Sequence, residues 1–114
     1  MSIAYRPSRY EQVMKASEGL DARARKMFGG MGVYTGEKMF AILLDDSVGL
    51  KLSPEDRDQA LQLDGAEPFQ PGPEHPPMPE YVIMPGHVLN DQDAFRDWVA
   101  KSADYAKNKN KVVN

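Results

Sequence analysis

Few residues in this chain of 114 amino acids are of the types that carry chemistry. There is no cysteine, which removes disulfides, thiolate metal sites and cysteine nucleophiles together. The two histidines, His75 and His87, lie in or beside a proline-rich stretch. His75 with Glu74 or Glu80 matches no familiar metal-ligand spacing, and both histidines read as surface loop residues. A serine nucleophile needs a histidine base and a Gly-x-Ser-x-Gly turn, and no such turn occurs. Adjacent carboxylates at Asp45-Asp46 would point to opposite faces of a strand, so they read as turn residues rather than a proton-sharing pair. Asp56 and Asp58 belong to the start of a helix. Gly29-Gly30-Met31-Gly32 resembles a phosphate-cradling loop at first sight. A dinucleotide loop follows a strand and opens a helix, whereas helical signal is expected before this segment and a strand after it. The lysine and hydroxyl of a P-loop are also missing. These residues therefore suggest no catalytic set, no cofactor and no metal. The glycines are expected to let a helix end pass close over a sheet, with Met27 and Phe28 plugging the core.

The elements that would position these residues can be read from periodicity and punctuation. Ser8-Arg9-Tyr10-Glu11 has the form of a capping box, with Tyr10, Val13, Met14 and Ser17 on one helical face and Gly19 as terminator. A short helical turn over Ala22–Lys26, capped by Asp21, is expected next. Gly32–Thr35, Lys38–Leu44 and the alternating Val48, Leu50 and Leu52 then form a three-stranded meander, turned by Gly36-Glu37 and Asp45-Asp46. Ser53 and Pro54 open a second helix that ends at Asp64-Gly65. Between Pro68 and Pro85 the chain holds seven of its nine prolines, which forbids helix and reads as a stiff surface loop carrying a short strand at Tyr81–Met84. Asn90 or Asp91 caps the final helix. Phe95, Trp98, Val99, Ser102 and Tyr105 or Ala106 form its apolar stripe, with Trp98 expected in the core. The fold class is α+β: an antiparallel sheet, made of the meander plus a later strand or two, flanked by helices in the order α-β-β-β-α-β-α. The chain should form one domain over 1–114, with an ordered core at about 8–106 and a frayed tail over 107–114.

Charge argues against one class of partner. The net charge is −3, and residues 1–30 carry six basic against three acidic residues while residues 61–90 carry none against four. A nucleic-acid-binding domain usually concentrates basic residues on one face, because phosphate contacts dominate its affinity. Arg23, Arg25 and Lys26 are the candidate basic patch, and direct DNA binding would add Arg9 to them. No signal-peptide core is present and the longest apolar run, Met39–Leu44, is too short to span a bilayer, so a cytoplasmic, membrane-free protein is expected.

One ordered set of residues resembles a known family. Arg25-Lys26-Met27-Phe28-Gly29-Gly30 is followed by Gly32-Val33-Tyr34, Gly36 and Met39-Phe40-Ala41. Leu50-Lys51, Gly65 with Pro68-Phe69, Tyr81-Val82-Ile83 with Pro85, and Leu89-Asn90-Asp91 leading to Trp98 and Ala103 continue the set. Together they are similar to the N-terminal domain of TfoX/Sxy competence regulators, over roughly residues 8–106. The resemblance implies an α+β fold and a regulatory role. Full-length members act as transcriptional co-activators in DNA-uptake competence and carry a second, C-terminal domain, without which this chain is expected to stand alone. The family offers no agreed catalytic residues. Its signature here is Met27, Phe28, Gly29, Gly30 and Gly32. The resulting expectation is a non-enzymatic regulatory or interaction domain with a protein partner, homodimerisation left open. The alternatives are a ligand-binding domain or enzyme with a pocket near Met27–Gly32, and a weak DNA-binding accessory protein.

Overall fold

A computed structural model describes residues 6–27, 30–70 and 78–108. The elements are α1 (Pro7–Ala16), β1 (Ala22–Met27), β2 (Gly30–Thr35), β3 (Lys38–Leu44), β4 (Ser47–Lys51), α2 (Pro54–Leu61), β5 (Glu67–Pro68), β6 (Tyr81–Ile83), α3 (Gly86–Leu89) and α4 (Gln92–Asn108). The six strands form one antiparallel sheet in the order β1-β2-β3-β4-β6-β5. The expected α+β class and the alternation of its helices and strands are present, with additions at both ends of the sheet.

The main addition replaces the helical turn expected at Ala22–Lys26. These residues form β1, paired with β2 along its whole length from Ala22↔Thr35 to Met27↔Gly30. Alanine, arginine, lysine and methionine all favour helix, but six residues are too few to sustain one alone. Pairing satisfies every second backbone group of the segment, and Asp21 at φ +54° separates it from the preceding helix. The meander is thus four-stranded. A second correction concerns the start of α1. Ser8 is not the cap. Proline, with its φ already helical, occupies the first helical position at Pro7, and Arg6 is the N-cap with no side-chain hydrogen bond. The Arg6 amide instead donates to the Asp45 carbonyl at 2.8 Å, which ties the helix start to the β3–β4 turn.

Both early helices end sooner than expected, α1 at Ala16 before Gly19 and α2 at Leu61 before Asp64-Gly65, while other punctuation expected from sequence is in place. Lys38–Leu44 is a strand and Asp45, at φ +56°, turns it. Ser53 Oγ accepts from the Asp56 amide at 3.2 Å, with Pro54 opening α2. Asp91 Oδ1 accepts from the Ala94 amide at 3.2 Å and caps α4. Tyr81–Ile83 is a strand beside β4, screened on its outer side by the two residues of β5. Residues 71–77 and 109–114, with most of the proline-rich loop, His75 and Glu74 among the former and most of the expected tail among the latter, lie outside the described residues. Lys107 and Asn108, expected to fray, instead continue α4.

The sheet has two unlike faces. One packs against the helices: Val33, Ala41, Leu43, Val48, Leu50 and Val82 from the strands meet Val13, Phe95, Val99, Ala103 and Ala106. The other carries a small cluster of Ile42, Phe69 and Tyr81, with Met27, Met39, Leu44, Met78 and Ile83 half-buried around it. A β-bulge decides where Phe40 goes. Val33 pairs with Ala41 but Tyr34 pairs with Met39, leaving Phe40 as the extra residue. Strict alternation would place Phe40 beside Ile42. The bulge turns it to the helical side, where it is fully buried. Its carbonyl accepts a 2.7 Å hydrogen bond from the buried Ser102 Oγ of α4. Trp98 departs from its expected place: it is half-buried at the edge of the core, with Lys101 Nζ 4.9 Å from its ring centroid.

Candidate functional site

The signature segment lies at the β1–β2 hairpin. Met27 ends β1 and Gly30 begins β2, directly opposite each other, and Phe28 and Gly29 are outside the described residues. The order is strand then strand, so the expectation of a helix end crossing the sheet is corrected. Two glycines of the signature have a packing reason of their own. A Cβ at Gly30 would run into the Leu43 carbonyl oxygen, a backbone atom that cannot swing away. A Cβ at Gly32 would come within 2.8 Å of the sulfurs of both Met27 and Met39, and within 3.3 Å of Tyr34 Cε1. Met27, Met39 and Tyr34 therefore lean over Gly32 from three sides on the helix-free face. Met27 belongs to this second face and not to the main core as expected.

The pleat assigns the remaining residues of the hairpin. Arg23, Arg25 and Met27 face the same side as Tyr34, Gly32 and Gly30, their cross-strand partners. Ala22, Ala24 and Lys26 face the helical side with Thr35, Val33 and Met31. The Arg25 guanidinium sits 5.0 Å from the Tyr34 ring centroid, a cation–π contact at the rim of the methionine cluster. Arg23 approaches Asp21 at 4.0 Å with both side chains largely exposed. Arg23, Arg25 and Lys26 are all exposed on β1, but Arg23 and Arg25 share the helix-free face while Lys26 lies on the other. Arg9 is not among them. Its side chain, 12% exposed, donates to Gln12 Oε1 at 3.0 Å and Asn90 Oδ1 at 3.2 Å, and its Nε lies 3.6 Å from Asp46 Oδ1. That group clamps α1 to the β3–β4 turn and the α3–α4 junction. The hydrogen bond from Arg6 to Asp46, at 2.8 Å, holds the Asp46 carboxyl below the usual carboxylate range.

The other candidates separate. His87 is exposed, its Nε2 2.9 Å from the Asp64 carbonyl. Glu80 accepts from Tyr105 Oη at 2.8 Å and lies 3.8 Å from Lys51 Nζ. No three metal-ligating side chains converge among the described residues. A hollow of about 120 Å³ opens between α1 and the start of α4, lined by Gln12, Lys15, Leu89, Asn90, Phe95 and Arg96. It includes no residue of the signature and is well below the roughly 300–1,000 Å³ of a usual ligand site. At Gly32, within the segment where the sequence allows a pocket, the sulfurs of Met27 and Met39 close in on the glycine.

Sequence reasoning missed the strand identity of β1 and hence the hairpin. The signal was present: Ala22, Arg23, Ala24 and Arg25 alternate small and charged residues with period two. The clamp around Arg9 and the Arg25–Tyr34 contact left no local trace, since each joins residues that only the sheet or the helix packing brings together. No helix of the described residues is long and apolar enough to cross a membrane.

No curated protein matches the chain. The family model of the TfoX N-terminal domain does match it, over residues 17–106, from the end of α1 to the last turns of α4. With the antiparallel α+β fold and the glycine-bearing hairpin in place, that match over 90 of 114 residues places the chain in the TfoX N-terminal domain family.

Proposed function

We propose that the chain is a non-enzymatic regulatory domain that works by binding another protein, in a setting linked to transcriptional control of competence as in TfoX/Sxy proteins. The observation that carries this reading is how the signature residues are used. Gly30 and Gly32 serve close packing within the hairpin, and Met27, Met39 and Tyr34 build a half-buried, helix-free sheet face edged by arginine. Surfaces of methionine, aromatic and arginine side chains suit macromolecular recognition, because adaptable apolar groups are combined with a directional charge. A cytoplasmic setting is part of the same proposal.

The test is affinity capture from native lysate with the wild-type chain and the double variant Tyr34→Ala/Met39→Ala. The expected result is a defined partner that the wild type retains and the variant loses, while the variant keeps its thermal unfolding midpoint within a few degrees. Capture of no partner, or retention of every partner by the folded variant, overturns the proposal.

A further inference from the structure

The two outer strands of the sheet are built differently. At one end β5 is two residues long and contains Pro68, so it offers almost no backbone for pairing. At the other end β1 runs for six residues with no proline, paired only with β2 among the described residues. Alternate backbone N–H and C=O groups of β1 therefore point outward along roughly 20 Å. This edge carries Arg23, Arg25 and Lys26, all exposed.

Charges on an edge strand discourage uncontrolled pairing, and the same charges select what can pair. A second copy meeting β1 about a two-fold axis, in the register that faces Arg23 with Arg25, would set arginine beside arginine, which is unfavourable. An acidic strand meets the opposite situation. The pleat refines its pattern. Arg23 and Arg25 lie about 7 Å apart on the helix-free face, a spacing that alternate residues of an added strand reproduce. Ala22 and Ala24, on the helical face, are small and half-buried, and Ala22 touches the main core. They leave room for apolar side chains from a neighbour, with Lys26 waiting beyond them for one more acid.

We infer that β1 is a docking edge for an extended acidic protein segment, which adds as a seventh strand with carboxylates beside Arg23 and Arg25 and apolar residues over Ala22 and Ala24. Backbone hydrogen bonds hold the segment and the alternating side chains specify it, as in other strand additions. The inference rests on reading the chain as an interaction domain and names the partner's chemistry and the place of its backbone.

The test uses the full chain and a soluble peptide that alternates glutamate and valine. Saturable binding is expected, with alternate amides of residues 22–27 slowed in hydrogen exchange. The triple variant Arg23→Glu/Arg25→Glu/Lys26→Glu should weaken binding at least about tenfold, and Arg23→Gln/Arg25→Gln by less. N-methylation of alternate peptide amides should also abolish binding, because the ladder is lost while the charge remains. No binding at low salt, or binding unchanged by N-methylation or by the folded triple variant, overturns the inference. So does a single-stranded oligonucleotide that binds as tightly as the peptide, since the row would then recognise phosphate. A captured partner that is lost by the Tyr34/Met39 variant yet kept by the triple variant sinks the docking edge and leaves the interaction domain standing. Peptide binding without any captured partner does the reverse.

Discussion

The two faces of the sheet differ in how fully the described residues cover them. On the helical face, side chains from the strands and helices interlock around Phe40, Leu50, Phe95 and Val99, each 1% exposed or less. On the other face the buried cluster among the described residues is Ile42, Phe69 and Tyr81, and the methionines around it stay half-exposed. Both faces descend from the same alternation, and the difference lies in what covers them. The helical face is covered by α4 and α1, whose apolar stripes supply a second layer. The open face is covered in part by the chain at Phe69 and Met78, whose own backbone contributes no apolar stripe. The face with a full second layer contributes most of the folding free energy, and the other leaves its methionines half-exposed among the described residues.

Substitutions can break or sharpen that contrast. Phe95→Ala on the covered face should destabilise by about 3–5 kcal/mol, near the upper range for aromatic truncation. Phe69→Ala on the open face should cost roughly half as much, because its neighbours can relax toward solvent. Equal losses in chemical denaturation would mean that the open face is a second core and not a recognition surface. Ser102→Ala probes how the covered face holds the bulge. It removes the hydroxyl from the Phe40 carbonyl in a site with no access to water, for an expected loss of about 1–3 kcal/mol. A loss under half a kilocalorie per mole would show that the bulge is held by strand pairing alone.

Titration gives the gentler tests. Burial pushes the Tyr81 phenol well above its usual value, with the neighbouring Glu80 charge adding to the effect. A raised folded-state pKa means that the stabilisation is complete below about pH 10 and is lost as pH rises beyond the unfolded value. Ultraviolet titration should find that Tyr81 resists ionisation until the sheet opens. Full ionisation of all five in the folded protein would show the open-face cluster to be wet. The smallest effect belongs to the exposed Asp46. Its carboxyl is depressed, so its contribution is present above about pH 4 and disappears as pH falls through the lower folded value. A carbon-detected titration should show that depression shrink in Arg6→Ala. An unchanged titration would assign it to Arg9.

Much of this architecture was written locally. Lys38–Leu44 reads as a strand because its apolar run is bounded by turn residues. Ser53-Pro54 and Asp91 mark helix starts because a side-chain oxygen three residues ahead of a free amide is a local fact. The ordered signature residues identified the family for the same reason, since a motif is a property of the chain. Ala22–Lys26 reads as helix because its composition favours one, while its backbone partner, β2, lies across a hairpin. The segment's weak period-two pattern was outweighed by propensity.

Taken alone, the amino-acid order determined the class of fold, the caps and turns, and the family. Tertiary structure decided which side of the sheet each residue of the signature serves. It put Phe40 on the helical side through a one-residue bulge and moved Met27 to the open face. It also drew Arg9 into a clamp with Asp46 and Asn90 and placed Arg23, Arg25 and Lys26 on a strand that pairs only with β2 among the described residues. The physical reason is that caps and turns are settled within four or five residues, whereas a face or an edge exists only once strands distant in sequence have paired and one side has been covered.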